Sequence, residues 1–124
     1  MAKALPPLGD LEHEIANLIW THGAMTAAAV RKLLPRPLKD PTIRTVLRRL
    51  EEKGYLTHRV EHGAFMYQAK ETRGQIAAKA VKRIADKFCG GSVEDVLAEL
   101  VKSSLVDPQQ LRLIADKMKR RGKP

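Results

Sequence analysis

Pro41-Thr-Ile-Arg-Thr-Val-Leu-Arg-Arg-Leu-Glu-Glu-Lys-Gly54 is the stretch from which the fold can be read. Ile43, Val46, Leu47 and Leu50 recur at i, i+3, i+4 and i+7, which places them on one stripe of an α-helix and turns that stripe toward a core. The same helical step sets Pro41, Thr45 and Arg48 opposite the stripe, Arg44 and Arg49 on its flanks, and Glu52 outward one turn later. Asp40 is expected to cap the start, Pro41 suits the first helical position because it has no donor to orphan, and Gly54 supplies a left-handed stop. Arginine grips a guanine edge or a phosphate bidentately, and threonine offers a hydroxyl to phosphate and a methyl to thymine. The outward face therefore reads as a DNA-recognition surface, unless its arginines serve only to keep an amphipathic helix soluble. The flanking elements decide between the two.

Upstream, Asp10 to His22 carries Leu11, Ile15, Leu18 and Ile19 on a helical stripe that Trp20 widens, with Asp10 as cap and Gly23 as stop. Thr26 can cap a short helix through Leu34 with Val30, Leu33 and Leu34 facing inward, before Pro35 and Pro37 redirect the chain. That layout is a helix-turn-helix. Downstream, residues 55–60 and 64–69 are short aromatic and β-branched runs about Glu61-His62-Gly63, which reads as a β-hairpin. Three helices and a hairpin make a winged helix, which places Arg59 and His62 near phosphate or the minor groove. His58 and His62 are four apart, but in a hairpin that spacing sets no metal geometry, so neither a metal nor a cofactor is assigned.

Composition narrows the partner. The 124 residues allow one ordinary domain, or one small domain with an appendage, and 23 Lys and Arg against 14 Asp and Glu give a formal charge of +9 and favour a polyanion. Charge is concentrated in Arg31, Lys32, Arg36, Lys39, Arg44, Arg48 and Arg49, with Asp40 the single acid among them. The low aromatic content, 4%, argues against a stacking platform for single strands and favours double-stranded DNA. No apolar run approaches the roughly 18 residues of a membrane span, and the N-terminus lacks the apolar block of a signal peptide, so a cytoplasmic protein without membrane insertion is expected. One cysteine, Cys89, excludes an internal disulfide and a cysteine-built zinc site; beside Phe88 at a helix end it reads as a small hydrophobe rather than a redox switch. There is no phosphate loop and no nucleophile paired with a base, so an enzyme is not expected.

From Thr72 a long helix is expected, with Ile76, Ala80, Val81, Ile84 and Phe88 on its stripe and Gly90-Gly91 closing it. Ser92-Val-Glu-Asp95 reads as a capping box for a helix bearing Val93, Val96, Leu97, Leu100, Val101 and Leu105, and Asp107-Pro108 opens a last helix with Leu111, Ile114, Ala115 and Met118. A segment of about fifty residues rarely buries enough apolar area alone. The expected division is thus a DNA-binding domain over 1–71 and a helical dimerisation domain over 72–124. Ile84, Phe88, Val93, Val96, Leu97, Leu100, Val101, Leu111 and Ile114 are expected to form the contact in a homodimer that would read a palindromic operator, the alternative being that these helices fold back on the first seventy residues. The five basic residues between Lys117 and Lys123 read more readily as a solubilising tail than as a second DNA contact, and are left unassigned.

Several of these stretches also carry a resemblance. Leu8-Gly-Asp-Leu-Glu-His-Glu-Ile15, Thr42 to Gly54, Ala64-Phe-Met-Tyr67 and Phe88-Cys-Gly-Gly-Ser92 resemble, in the same order, the penicillinase-repressor family of bacterial transcriptional regulators, which includes the β-lactamase, methicillin-resistance and copper-responsive repressors. The similarity runs from about Leu8 to Met118. It implies a mainly α protein with a small β-hairpin wing: a winged helix-turn-helix domain followed by a helical dimerisation domain. It further implies a homodimeric repressor on palindromic promoter DNA, with Thr42, Arg44, Thr45, Arg48 and Arg49 facing the duplex. Three departures stand out. His62-Gly63 replaces the Gly-Arg usual in the family's wing. Members inactivated through a membrane sensor protease are typically cut at an Asn-Phe pair, where this chain has Glu99-Leu100. The cysteine cluster of the copper-responsive members is represented only by Cys89. The rival classes are a winged helix that binds another protein, which should show apolar anchors where Arg44, Thr45 and Arg48 stand, and a nonspecific DNA-binding protein.

Overall fold

A computed structural model of the chain describes residues 5–122. Lys123, the end of the basic tail, lies outside the described residues. The elements run α1 (Asp10–His22), α2 (Ala27–Leu33), α3 (Asp40–Glu52), β1 (Leu56–Glu61), β2 (Ala64–Ala69), α4 (Arg73–Phe88), α5 (Val93–Lys102) and α6 (Pro108–Arg121). Two compact units, Met1–Lys79 and Ala80–Pro124, divide within α4. Among the described residues no helix is long and apolar enough to cross a membrane.

In the first unit the expected stripes meet. Ile15 and Ile19 of α1, Val30 of α2, Ile43, Leu47 and Leu50 of α3 and Leu56 of β1 are the largest fully buried side chains, and together they form the core beneath the hairpin. β1 and β2 pair antiparallel from Leu56 with Ala69 to Glu61 with Ala64. Met25, between α1 and α2, adds a bridge on the other edge of β2: its N–H donates to the Tyr67 carbonyl at 2.9 Å and the Tyr67 N–H returns a bond at 2.8 Å. The hairpin is thereby fastened to the helices by its second strand, a contact that the sequence pattern does not announce.

Local chemistry corrects several expectations. Asp10 does not cap α1; Gly9 holds that position, and Glu12 closes the turn by accepting the Gly9 N–H at 2.8 Å. Nor does Asp40 cap α3. The cap position is Lys39, without a side-chain bond, and the Asp40 carboxylate accepts from Arg31 at 3.1 Å instead. Thr26 caps α2 as expected, accepting from the Ala29 N–H, but the helix stops at Leu33, which is 45% exposed. Leu34 turns in on extended backbone just past the helix end, which leaves Leu33, the last helical residue, toward solvent. The hairpin turn is His62-Gly63 alone, because Glu61 pairs with Ala64. Thr72 and Asp107 act as helix caps, each in a reciprocal box, with Gln75 and Gln110 respectively. Ser92 accepts from the Asp95 N–H, but only that half of its box forms, Asp95 being one methylene shorter than the Glu or Gln that reaches back.

The second unit is different in kind. Among its described residues only Ala85 is buried, while Ile84, Phe88, Val93, Leu97, Leu105, Leu113, Ile114 and Met118 are exposed, Phe88 at 77%. Val96, Leu100, Val101 and Leu111 are half-buried. The α5 and α6 stripes are formed but largely uncovered.

Glu12 ties the N-terminal segment to the end of α3. Its carboxylate accepts from Lys53 Nζ at 2.7 Å as well as from Gly9, and Lys53 also donates to the Pro7 carbonyl at 3.0 Å. The Lys53 bond, then the Gly9 N–H, hold the Glu12 carboxyl below the ordinary glutamate range despite its burial. A group with a depressed folded-state pKa contributes stability that is complete above its unfolded pKa and lost as pH falls through the folded value. Glu12→Gln is therefore expected to cost about 1–2 kcal/mol at neutral pH. Denaturant titrations of both proteins at falling pH should converge below the ordinary glutamate range; parallel curves throughout would show that the charge on Glu12 contributes nothing.

Candidate nucleic-acid interface

The burial of Ile43, Val46, Leu47 and Leu50 determines which side of α3 faces out. Thr42, Arg44, Arg48 and Arg49 are exposed and Thr45 is half-buried. Thr45 Oγ1 donates to the Pro41 carbonyl at 2.8 Å, which commits its proton within the helix and leaves acceptor capacity and the methyl group. Arg44 and Arg48, one turn apart, make no hydrogen bond or ion pair among the described residues and line a groove toward the hairpin. Arg49 is on the other flank, where its charge helps to lower the Glu12 pKa. Arg31 and Arg36 in the same basic stretch are held in exposed pairs with Asp40 and Glu14, at 3.1 and 3.4 Å.

The five expected α3 positions thus share one helix, but only Arg44 and Arg48 are brought against the hairpin. Arg59, on β1, is engaged along the hairpin: Nε donates to Glu61 at 2.5 Å and Nη1 to the Gln68 side-chain oxygen. His62 is exposed at the hairpin tip with φ of 51°, followed by Gly63 at 78°. Two successive positive φ values are the requirement of a tight primed turn matching the strand twist.

The sequence reading did not anticipate the joint between α3 and the hairpin. His58 Nδ1–H donates to both Glu51 carboxylate oxygens, at 2.7 and 2.8 Å, so the last turn of α3 is bonded to the middle of β1. Phe65 stacks on the His58 ring, centroids 4.1 Å apart and planes at 14°, and Tyr67 meets the same ring at 5.7 Å. Burial, then the Glu51 charge, push the Tyr67 hydroxyl above the ordinary phenol range, while Arg44 and Arg48 pull it back. The signal for this joint lay in the hairpin register: His58 faces Tyr67 across the strands, and Phe65 is its diagonal neighbour. Among the described residues no group of three His, Cys, Asp or Glu could hold a metal ion.

A family profile described as penicillinase repressor matches residues 8–120. The penicillinase repressor of Bacillus licheniformis is 24% identical over 111 residues, covering 88% of this chain and 87% of that protein. The penicillinase repressor of Staphylococcus aureus is 20% identical over 118 residues, 94% of each. Among solved structures, the solution structure of monomeric Bacillus licheniformis BlaI in complex with the blaP half-operator superposes with a TM-score of 0.50 at 33% identity, covering 60% of this chain and 92% of that one. The DNA-binding domain of the repressor BlaI gives 0.52 at 32% identity, covering 58% and 90%.

At the hairpin tip, a Cβ on Gly63 would meet no atom within 4 Å, so substitution strains only the backbone. Gly63→Ala should lower stability by about 1 kcal/mol in thermal denaturation, and His62→Asn should leave it unchanged or slightly raised, because asparagine tolerates the left-handed region. A Gly63→Ala protein as stable as the parent would refute the tight turn.

Proposed function

Because the chain belongs to the penicillinase repressor family, whose members are transcriptional repressors with a winged-helix DNA-binding domain rather than enzymes, we propose that it represses transcription in the cytoplasm as a homodimer bound sequence-specifically to a palindromic promoter operator. The observation that carries this reading is the pair of exposed arginines, Arg44 and Arg48, that have no hydrogen-bond or ion-pair partner among the described residues, on a helix whose opposite stripe is buried. With α3 in the major groove, Arg44 and Arg48 read base edges or grip phosphate, Thr42 and Thr45 contribute hydroxyl acceptors and methyl groups, and Arg49 reaches the backbone on the far flank. His62 and Arg59 lie along the neighbouring backbone. Arg59 has to leave Glu61 and Gln68 to make that contact, which makes it the weaker of the two.

Residues 1–71 are the DNA-binding domain and 72–124 the dimerisation domain on this reading. The dimer contact uses Ile84, Phe88, Val93, Val96, Leu97, Leu100, Val101, Leu111 and Ile114, a set in which the exposure of Ile84, Phe88, Val93, Leu97 and Ile114 supports a missing partner surface. Isologous pairing covers such stripes and presents two reading helices to two half-sites. Repression is passive: the dimer occupies the promoter and excludes polymerase. Joining two weak half-site contacts makes the second intramolecular, so a signal that separates the subunits releases DNA without altering α3.

Selection of the purified protein against random duplex DNA, followed by binding across a salt series, should enrich an inverted repeat and show a steep salt dependence. Enrichment of nothing would leave a nonspecific DNA-binding protein, and no binding would favour a protein-interaction module. Arg44→Gln or Arg48→Gln should cost about 1–3 kcal/mol at one symmetric pair of operator positions; a uniform loss across sequences would make that arginine a phosphate contact. Leu97→Glu should yield monomers in sedimentation velocity, and a protein that stays dimeric would exclude this face as the dimer contact.

A further inference from the structure

The groove between α3 and the hairpin carries more chemistry than duplex recognition uses. It has a volume of about 710 Å³, within the roughly 300–1,000 Å³ of sites that enclose small organic ligands. Arg44 and Arg48 supply two cations to it. Its one carboxylate, Glu51, is bonded through both oxygens to His58 and so is engaged away from those arginines. The other wall is aromatic. Phe65 is stacked on His58 yet 49% exposed, and Tyr67 lies beside them. Ala27, Ala28 and Gly63 take up little of the space between.

An intact duplex offers an aromatic side chain no ring to stack on, only phosphates outside and base edges and thymine methyls in its grooves, while the base faces remain stacked on one another. A free planar ring does offer a face, and a ring already stacked on one side and half exposed extends readily into a further offset stack. A carboxylate is the anion that the arginine fork matches bidentately. We propose that this groove binds a planar aromatic monocarboxylate, with the carboxylate held by Arg44 and Arg48 and the ring laid against Phe65. The regulatory consequence rests on the DNA-binding reading: a ligand that occupies both arginines and fills the space beside α3 excludes the operator, so the acid acts as an inducer at the reading face without separating the subunits.

The test uses the full chain and 2-naphthoate as probe, with 2-naphthamide and inorganic phosphate as controls, and calorimetric titration in the absence of DNA. The expected result is saturable one-site binding of naphthoate, with naphthamide and phosphate each weaker by at least about tenfold. Phe65→Ala and Arg48→Gln should each weaken naphthoate by a similar factor, and both substitutions are at exposed side chains; a circular dichroism melt checks that each variant is folded. Absence of saturable binding, equal binding of the amide, or indifference to both substitutions overturns the site. In a second titration, with duplex selected as above, release of DNA in proportion to naphthoate occupancy supports exclusion, and simultaneous binding overturns it. Naphthoate binding as expected by a chain that binds no duplex would uphold the site and overturn the repressor reading instead.

Discussion

Everything on the outward face of α3 depends on how completely its opposite stripe is buried. Ile43, Leu47 and Leu50 have no exposed surface, and rotating the helix by even one residue position would bring Arg44 or Arg48 toward that core. Burying an arginine without a partner costs several kcal/mol, far more than any single surface contact could return. The helix is therefore locked in rotation by an energetic penalty on the wrong face as much as by packing on the right one. The outward residues need no interactions of their own to stay where they are. That freedom is what a recognition surface requires, since side chains already paired within the protein would have to be released before they could bind.

Rotation alone does not fix the wing. Three contacts do so from different directions: the Glu51–His58 pair from the end of α3, the Met25–Tyr67 bridge from the opposite strand edge, and the burial of Leu56 and Tyr67 beneath the sheet. A short two-stranded ribbon is marginal by itself. Here it inherits rigidity from the helices, and its tip, with His62 and Gly63 in left-handed conformation, extends from a fixed base.

The helices and the hairpin could be read from periodicity because each obeys a local rule: an i, i+3, i+4 stripe, a threonine cap before α2, a glycine at the turn. The failures are equally physical. Asp10 and Asp40 look like caps, but each is already the first helical residue; Glu12 closes the first turn of α1 and Arg31 takes up the Asp40 carboxylate, and a one-residue shift of a helix start leaves no mark in the sequence pattern. Leu33 looks like core because it is apolar, whereas only the exact end of α2 decides whether it or Leu34 turns inward. In the candidate interface, Arg44 and Arg48 were visible as outward residues of one helix. Their juxtaposition with His58 and Phe65 was not, because it depends on the angle at which the hairpin leaves α3, a tertiary quantity without a short-range signature. The apolar stripes of α5 and α6 are formed, except that α5 ends at Lys102 and leaves Leu105 beyond it, and their exposure follows from the scarcity of anything in the same unit to cover them.

The junction between α1 and α4 has one further property. Arg73 places its guanidinium 5.7 Å from the centre of the Trp20 ring while bonding Asn17 and Thr21 on α1, and the Trp20 indole N–H donates to the Glu71 carbonyl at 3.3 Å. Trp20 is the chain's one tryptophan. The protein consequently contains its own optical label at the place where the first turn of α4 is seated, and any event that lifts that turn from α1 alters the emission of a single fluorophore without chemical modification.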